Sequence, residues 1–420
     1  MFAFPESTRP ITVAQFGGGV FLRGFFDWML QVANNRGLYH GNAVIIRAKT
    51  LGEDPLARHG YHYTQLMQDG THDERLVVDS IAGSIQGRDA EALLALATLP
   101  GLSVVVSNTT EAGIVYIPTL YQKDEMPESF PARLARMLYA RYQAGLEGLL
   151  VLPCELIEDN GEMLARYVKQ HAKDWQLDEG FFTWLDASCS FRNTLVDRIV
   201  SGVPDGDPSI NHSEYFHLWA IEGALDARLP FAEAGLNIKW VPDLSVYRTR
   251  KVRILNGAHT SMIPYALSLG IPTVGACMQD ARTREHLEGC MQEIVLSLGE
   301  DNRGEIAAYA DAVLSRFSNP YIEHRCEAIA LNSVSKFRVR VLPSILAYHK
   351  ITGTYPRQLL FAFASLIRFY REGAPRDEAE VIYKMRTLAL VDLLRDIGLW
   401  GEDLTALYPT LSTLLGKESL

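Results

Sequence analysis

Ile11–Val32 reads ITVAQFGGGVFLRGFFDWMLQV, and this stretch decides the fold. Ile11–Phe16 is short, apolar and rich in β-formers, which predicts a buried strand. Gly17-Gly18-Gly19 follows at once. Phe21, Leu22, Phe25, Trp28, Met29 and Val32 then recur at helical spacing. Strand, glycine turn and helix are the first unit of a dinucleotide-binding α/β fold. There the glycines let backbone approach a pyrophosphate, and the helix start supplies N–H groups and positive potential. Gly17 and Gly19 fit G-x-G, but Leu22 stands where the third glycine belongs. A plain strand-turn-helix with no nucleotide also fits the pattern.

Outward from that unit, Ala43–Arg47 (AVIIR) is the second strand. The acid that usually grips the ribose 2′-hydroxyl is missing from its end. Arg47 and Lys49 stand there instead, with Glu53 and Asp54 further on, a placement that suits a 2′-phosphate and hence NADP. Arg75–Ile85 reads as one or two extended segments and Asp89–Thr98 as a helix. Leu102–Ser107 and Gly148–Pro153 are continuous apolar runs expected of buried parallel strands. Each runs into polar residues at the sheet's carboxyl edge, where open α/β sheets bind ligands: Asn108, Thr109, Thr110 and Glu111 after the first, Cys154 to Gly161 after the second. Asn160-Gly161 reads equally as a turn or a helix cap. Tyr215–Ile221 and Asn237–Val241 look like edge strands. Beyond Tyr247 the spacing is helical almost throughout: Leu255–Leu269, Ala281–Leu298, Ile306–Phe317, Ile322–Leu331, Phe337–Tyr348, Gln358–Arg371 and Glu378–Ile397. The expectation is therefore a Rossmann-like α/β domain over 1–246 and a mostly α-helical substrate and catalytic domain over 247–420.

The 420 residues are long enough for two cores. A net charge of −10 argues against nucleic acid or an anionic membrane as partner. No apolar run approaches the roughly 18 residues of a spanning helix. The start, MFAFPESTRP, lacks the basic and apolar regions of a signal peptide. Five scattered cysteines with no C-x-x-C read as reduced thiols in a cytoplasm, and no zinc-spaced Cys/His set is present, so no metal is expected. Oligomeric state is not legible.

Arg250–Pro264, RKVRILNGAHTSMIP, gathers an amine (Lys251), a carboxamide (Asn256) and an imidazole (His259) within nine residues. On an α-helix at about 100° per residue, Asn256 sits about 140° from Lys251 and His259 about 80° from it. One broad face could then present a base, an oxygen-binding amide and an orienting ring to a substrate carbon. The spacing alone is equally that of a helix start with a surface lysine and a capping asparagine.

The pattern K-x4-N-x2-H at Lys251, Asn256 and His259 resembles the catalytic motif of the polyol-specific long-chain dehydrogenase/reductase (mannitol dehydrogenase) family. SNTTEAGI at Ser107–Ile114, PCELIEDNG at Pro153–Gly161, TLVDRIV at Thr194–Val200 and RFSNPYIEH at Arg316–His324 resemble, in the same order, its branch that interconverts D-tagaturonate and D-altronate. The family's G-x-G-x-F-x-R also matches Gly17, Gly19, Phe21 and Arg23. The resemblance implies an NAD-dependent oxidoreductase acting on a small sugar acid, with fructuronate or a hexitol as sibling substrates. It implies Lys251 as general acid/base, Asn160 and Asn256 as oxyanion donors and His259 as the orienting ring. Phe16, Gly17, Gly19, Phe21, Leu22, Arg47, Asn108, Thr109 and Glu111 would hold the cofactor. It favours NAD where Arg47 alone favours NADP, and it makes Asp197-Arg198 a clamp between domains. A hexuronate carboxylate needs a cationic partner. Lys336, Arg338 and Arg340 form the densest set. On a helix Lys336 and Arg340 share a face, so they are the expected substrate cations, with Arg338 turned to solvent.

Overall fold

The structure is a computed structural model that describes residues 4, 7–48, 52, 54–109, 113–202, 206–300 and 303–416. The chain divides into two compact units, Met1–Leu244 and Ser245–Leu420.

The first unit is built on a six-stranded, all-parallel sheet. Across the sheet the strands run Ile81–Gln86, Asn42–Arg47, Ile11–Phe16, Val104–Ser107, Leu150–Pro153 and Ser190–Phe191. Numbered along the chain, that is the 3-2-1-4-5-6 order of a dinucleotide-binding fold. Ile11–Phe16 lies in the middle, Gln15 pairing with Ile45 on one side and Val106 on the other. Side chains alternate between two cores because successive residues of a strand face opposite ways. Ala14, Phe16 and Val105 join one core, with Leu93 and Leu134 from covering helices. Val13, Val104 and Val106 join the other, with Phe25, Met29 and Trp219.

Two smaller sheets complete the unit. One runs Val200–Gly202, Ile210–Ser213, Tyr63–Gln68, Asp73–Val78. The stretch Arg75–Ile85 thus belongs to two strands in different sheets. Tyr63–Gln68 escapes a reading of hydrophobic alternation because one of its inward positions is the fully buried Gln65. Its carboxamide donates to Ser213 Oγ at 2.9 Å and accepts from Asn211 Nδ2 at 2.8 Å, which replaces the apolar burial expected of that face. In the other sheet Leu218–Glu222 lies between Ile238–Val241 and Thr194–Asp197, a central strand rather than an edge.

The second unit is helical throughout apart from an isolated bridge, Thr273 to Arg325, among the described residues. Its core gathers Ile254, Ala258, Met262, Ile294, Phe337, Phe363 and Trp400. Three expected helices are shorter than their patterns. The run 322–331 keeps only Cys326–Ile329, because the bridge and the bond from Cys326 N to Pro272 O hold the residues before it extended. Phe337–Tyr348 divides into Ser333–Arg340 and Leu342–Thr352, with Pro343 in the first turn of the second helix. Glu378–Ile397 breaks where Leu388 and Ala389 turn extended, and again at Asp396, whose carboxylate caps Leu399 N. No described helix is long and apolar enough to cross a membrane.

Candidate active site

The glycine turn has the shape a pyrophosphate needs. Gly17 adopts φ +110°, and a Cβ there would lie 2.7 Å from Asn108 O, so glycine alone brings these two strand ends together. Gly19 is the N-cap of the helix, and a Cβ on it would meet nothing within 4 Å, which leaves its approach open. The N–H groups of that first turn lie beside this space. Three of the cofactor candidates have side chains packed against other residues. Phe16 is 2% exposed and packs on Phe130 at 4.6 Å. Leu22 is buried in the core, and Phe21 stacks on Phe25 at 5.1 Å.

A buried acid that the sequence reading left unassigned organises the next two strand ends. Glu155 is 3% exposed and accepts from Ser107 Oγ (2.9 Å), Thr109 N (2.9 Å) and Thr109 Oγ1 (2.8 Å). Burial pushes its carboxyl above the usual range, while those bonds pull the other way. Asn108 donates to Cys154 O at 2.8 Å. The side chains of Asn108 and Thr109 therefore lace the two strands together. Glu111, Lys49 and Glu53 lie outside the described residues.

Arg47 is not the open cation expected for a 2′-phosphate. It donates to Gly52 O at 3.1 Å and sits 3.9 Å from the Asp54 carboxylate. An acid thus stands at the strand end after all, seven residues later than Arg47.

Asn160, the expected oxyanion donor, is held by backbone groups on every side. It is 1% exposed, and its Nδ2 faces Pro153 O (3.1 Å), Glu155 O (3.0 Å) and Thr194 O (3.0 Å), while Oδ1 accepts from Thr194 N at 2.9 Å. A backbone N–H can only donate, so the amide's orientation is fixed, and two hydrogens already have three carbonyl acceptors. The cap of Asn160–Asp174 comes from elsewhere: Asn193 Oδ1 accepts from Gly161 N (3.0 Å) and Glu162 N (3.1 Å). Gly161 is required for that approach, since a Cβ would fall 2.3 Å from Arg192 C. Arg198 likewise clamps inside its own unit. It holds Gly24 O and Glu214 O with its guanidinium 4.1 Å above Trp28, and burial lowers it to about 9.

In the second unit Lys251–Asn256 is a π-helical turn, followed directly by the α-helix Gly257–Ser268. The i→i+5 bonding of a π turn widens it and brings residues five apart closer to alignment than the α-helical 140°. Lys251 and Asn256 are five apart, and His259 follows one turn on. Lys251 and Asn256 are half-buried, and the Asn256 carboxamide has no hydrogen-bond partner among the described residues. His259 is 6% exposed, stacked on Phe317 at 4.1 Å and edge-on to His324 at 5.0 Å. Its Nε2 has no hydrogen-bond partner among the described residues. Burial first, then His324, Arg316, Arg340 and Lys336, hold its pKa far below the ordinary histidine value, so the ring is neutral. Lys336, Arg340 and Arg316 thus act on His259 electrostatically, and His324 lies against it. Arg316 and His324 lie in RFSNPYIEH, so they were visible as residues but not as neighbours. Lys336 Nζ donates to Ile329 O at 2.9 Å. Arg338 is exposed beside Gly398.

Comparison with known proteins follows this division. The mannitol dehydrogenase Rossmann domain matches residues 11–232 and the mannitol dehydrogenase C-terminal domain matches residues 243–386. An altronate oxidoreductase of Halalkalibacterium halodurans is 37% identical, the match covering 96% of this chain and 90% of that one. One from Bacillus subtilis is 37% identical over 94% of this chain and 89% of its own. In fold, the chain resembles a D-sorbitol dehydrogenase in substrate-free form (TM-score 0.80, 19% identity, 97% and 92% covered). It also resembles the Pseudomonas fluorescens mannitol 2-dehydrogenase ternary complex with NAD and D-mannitol (TM-score 0.74, 19% identity, 98% and 91% covered). Two domain matches that together span most of the sequence, and relatives of this identity along nearly its whole length, place the chain in the mannitol dehydrogenase family.

Proposed function

We propose that this chain is an NAD-dependent oxidoreductase that interconverts D-tagaturonate and D-altronate, working in a cytoplasm. Residues 1–246 would hold the cofactor and 247–420 the substrate. The observation that carries the chemistry is the run of Lys251, Asn256 and a buried neutral His259 on one π-to-α helical segment. The relatives' name supports the choice of sugar acid.

Reduction of a ketone needs a proton for the nascent alkoxide, and oxidation needs a base for the hydroxyl. Lys251 supplies both, its amine giving a proton in one direction and taking it in the other. Asn256 offers N–H donors to the oxygen as charge develops on it. His259, neutral and pinned between Phe317 and His324, orients the substrate through Nε2. A bound NAD would supply the hydride exchange, held at Gly17, Gly19 and the first helical turn. Asn160 serves as a structural pin of the first unit, holding the strand ends that carry Glu155 and Thr194.

A spectrophotometric panel of hexuronates, hexitols and their phosphates with both cofactors tests the reading, with D-tagaturonate and NADH expected to be the best pair. Because Asp54 stands against Arg47, a 2′-phosphate would bring like charge close to a carboxylate. NADH is expected to be preferred in kcat/KM by at least about tenfold, roughly 1.4 kcal/mol. Equal use of NADPH would show that Arg47 exchanges Asp54 for the phosphate.

Lys336 and Arg340 lie on one face of Ser333–Arg340, beside His259. Lys336→Ala or Arg340→Ala is expected to raise KM for tagaturonate by an amount corresponding to about 1.5–3 kcal/mol, with the Kd for NADH unchanged. Normal KM in both variants would move the carboxylate elsewhere.

A further inference from the structure

We propose that His324 is a specificity-determining residue that makes the site select a carboxylate over a neutral hydroxymethyl group. This rests on the sugar-acid reading above and adds a residue to it. His324 meets the His259 ring edge-on at 5.0 Å, and Nε2 of that nine-tenths-buried ring has no partner among the described residues. The groups acting most strongly on His259 are all cationic or able to become so: His324, Arg316 from Arg303–Phe317, and Arg340 and Lys336 from Ser333–Arg340. A carboxylate beside the His324 ring can accept from an imidazole N–H and gains further when the ring is charged, whereas a neutral hydroxymethyl group gains little.

His324 is half-buried, and its backbone is fixed, its carbonyl accepting from Val274 N at 3.0 Å beside the Thr273–Arg325 bridge. Its ring has no hydrogen-bond partner among the described residues. Burial holds its pKa below the ordinary histidine value. An anion brought beside it reverses that balance, so the carboxylate arrives with uptake of one proton by His324. His259, the more deeply buried of the two rings, stays neutral.

The test compares kcat/KM for D-tagaturonate with that for D-tagatose, which carries a hydroxymethyl group in place of the carboxylate, in the full chain with NADH. His324→Gln is expected to lower the tagaturonate-to-tagatose ratio by about tenfold or more. His324→Arg, with a permanent charge, is expected to keep the ratio. In the wild type the ratio should fall as pH rises from about 6 to 8, and in His324→Arg it should stay flat. An unchanged ratio in His324→Gln overturns the proposal, as does an equal loss on both substrates in a variant whose Tm is that of the wild type. If the wild type reduces D-fructuronate but not D-tagaturonate, the substrate named above is wrong. The same variants then test His324 with fructuronate against fructose. A wild type that reduces no hexuronate removes both.

Discussion

Lys251→Ala is expected to lower turnover about 10²–10⁴-fold, the range for losing a general acid/base, while NADH binding persists. The size of the loss follows from the lack of a substitute on the same turn. Val252, Ile254 and Leu255 are apolar, and Arg253 is committed, donating to Ser344 Oγ at 2.7 Å and Ser297 Oγ at 3.2 Å. Burial lowers its guanidinium to about 10, still charged at neutral pH and unable to act as a base. No other described side chain of this turn then replaces the amine. Single-turnover NADH oxidation, followed by absorbance, separates the effect from product release, and NADH fluorescence titration gives the Kd. Turnover within threefold of the wild type would remove Lys251 from the reaction. Loss of NADH binding would mean that the substitution had disturbed more than the proton transfer.

Much of the fold was legible because buried parallel strands announce themselves. Val104–Ser107 and Leu150–Pro153 are apolar runs with every residue buried, and the glycine turn follows the central strand as the pattern requires. Tyr63–Gln68 was hidden because a sheet satisfied by a buried glutamine leaves no alternation to read. The proposed catalytic segment was legible as residues but not as geometry. Hydrophobic spacing reports which positions are buried, whereas the π turn is a matter of backbone bonding, so an α-helical angle was the default for Lys251 and Asn256. Arg316, His324, Lys336 and Arg340 span 25 residues and two helices, and they reach His259 only through tertiary packing. Asn160 poses the opposite difficulty. Its position at a strand's carboxyl edge fits a catalytic amide and a structural pin equally well, and only the convergence of carbonyls from Pro153, Glu155 and Thr194 separates the two.

That separation can be measured, because the two roles of Asn160 predict losses in different quantities. Asn160→Ala is expected to unfold the first unit more easily. It strips Thr194 N–H of its acceptor and leaves three carbonyls without that donor in a site 1% exposed. Each buried group left unsatisfied costs about 1–3 kcal/mol. For a unit of this size each kcal/mol lowers Tm by about 2–4 °C, so a fall of several degrees is the minimum. Any activity lost should track the folded fraction, with the surviving enzyme retaining near-normal kcat and KM at low temperature. An oxyanion donor would behave otherwise: kcat would drop about 10²–10³-fold with Tm unmoved. Asn160→Asp sharpens the contrast. A carboxylate can still accept from Thr194 N but has no hydrogens for the carbonyls and adds a charge beside them, so as a pin it should be at least as disruptive as alanine. Wild-type Tm in both variants together with a large fall in kcat would return Asn160 to the reacting oxygen. It would also mean that its amide leaves Pro153, Glu155 and Thr194 when substrate binds.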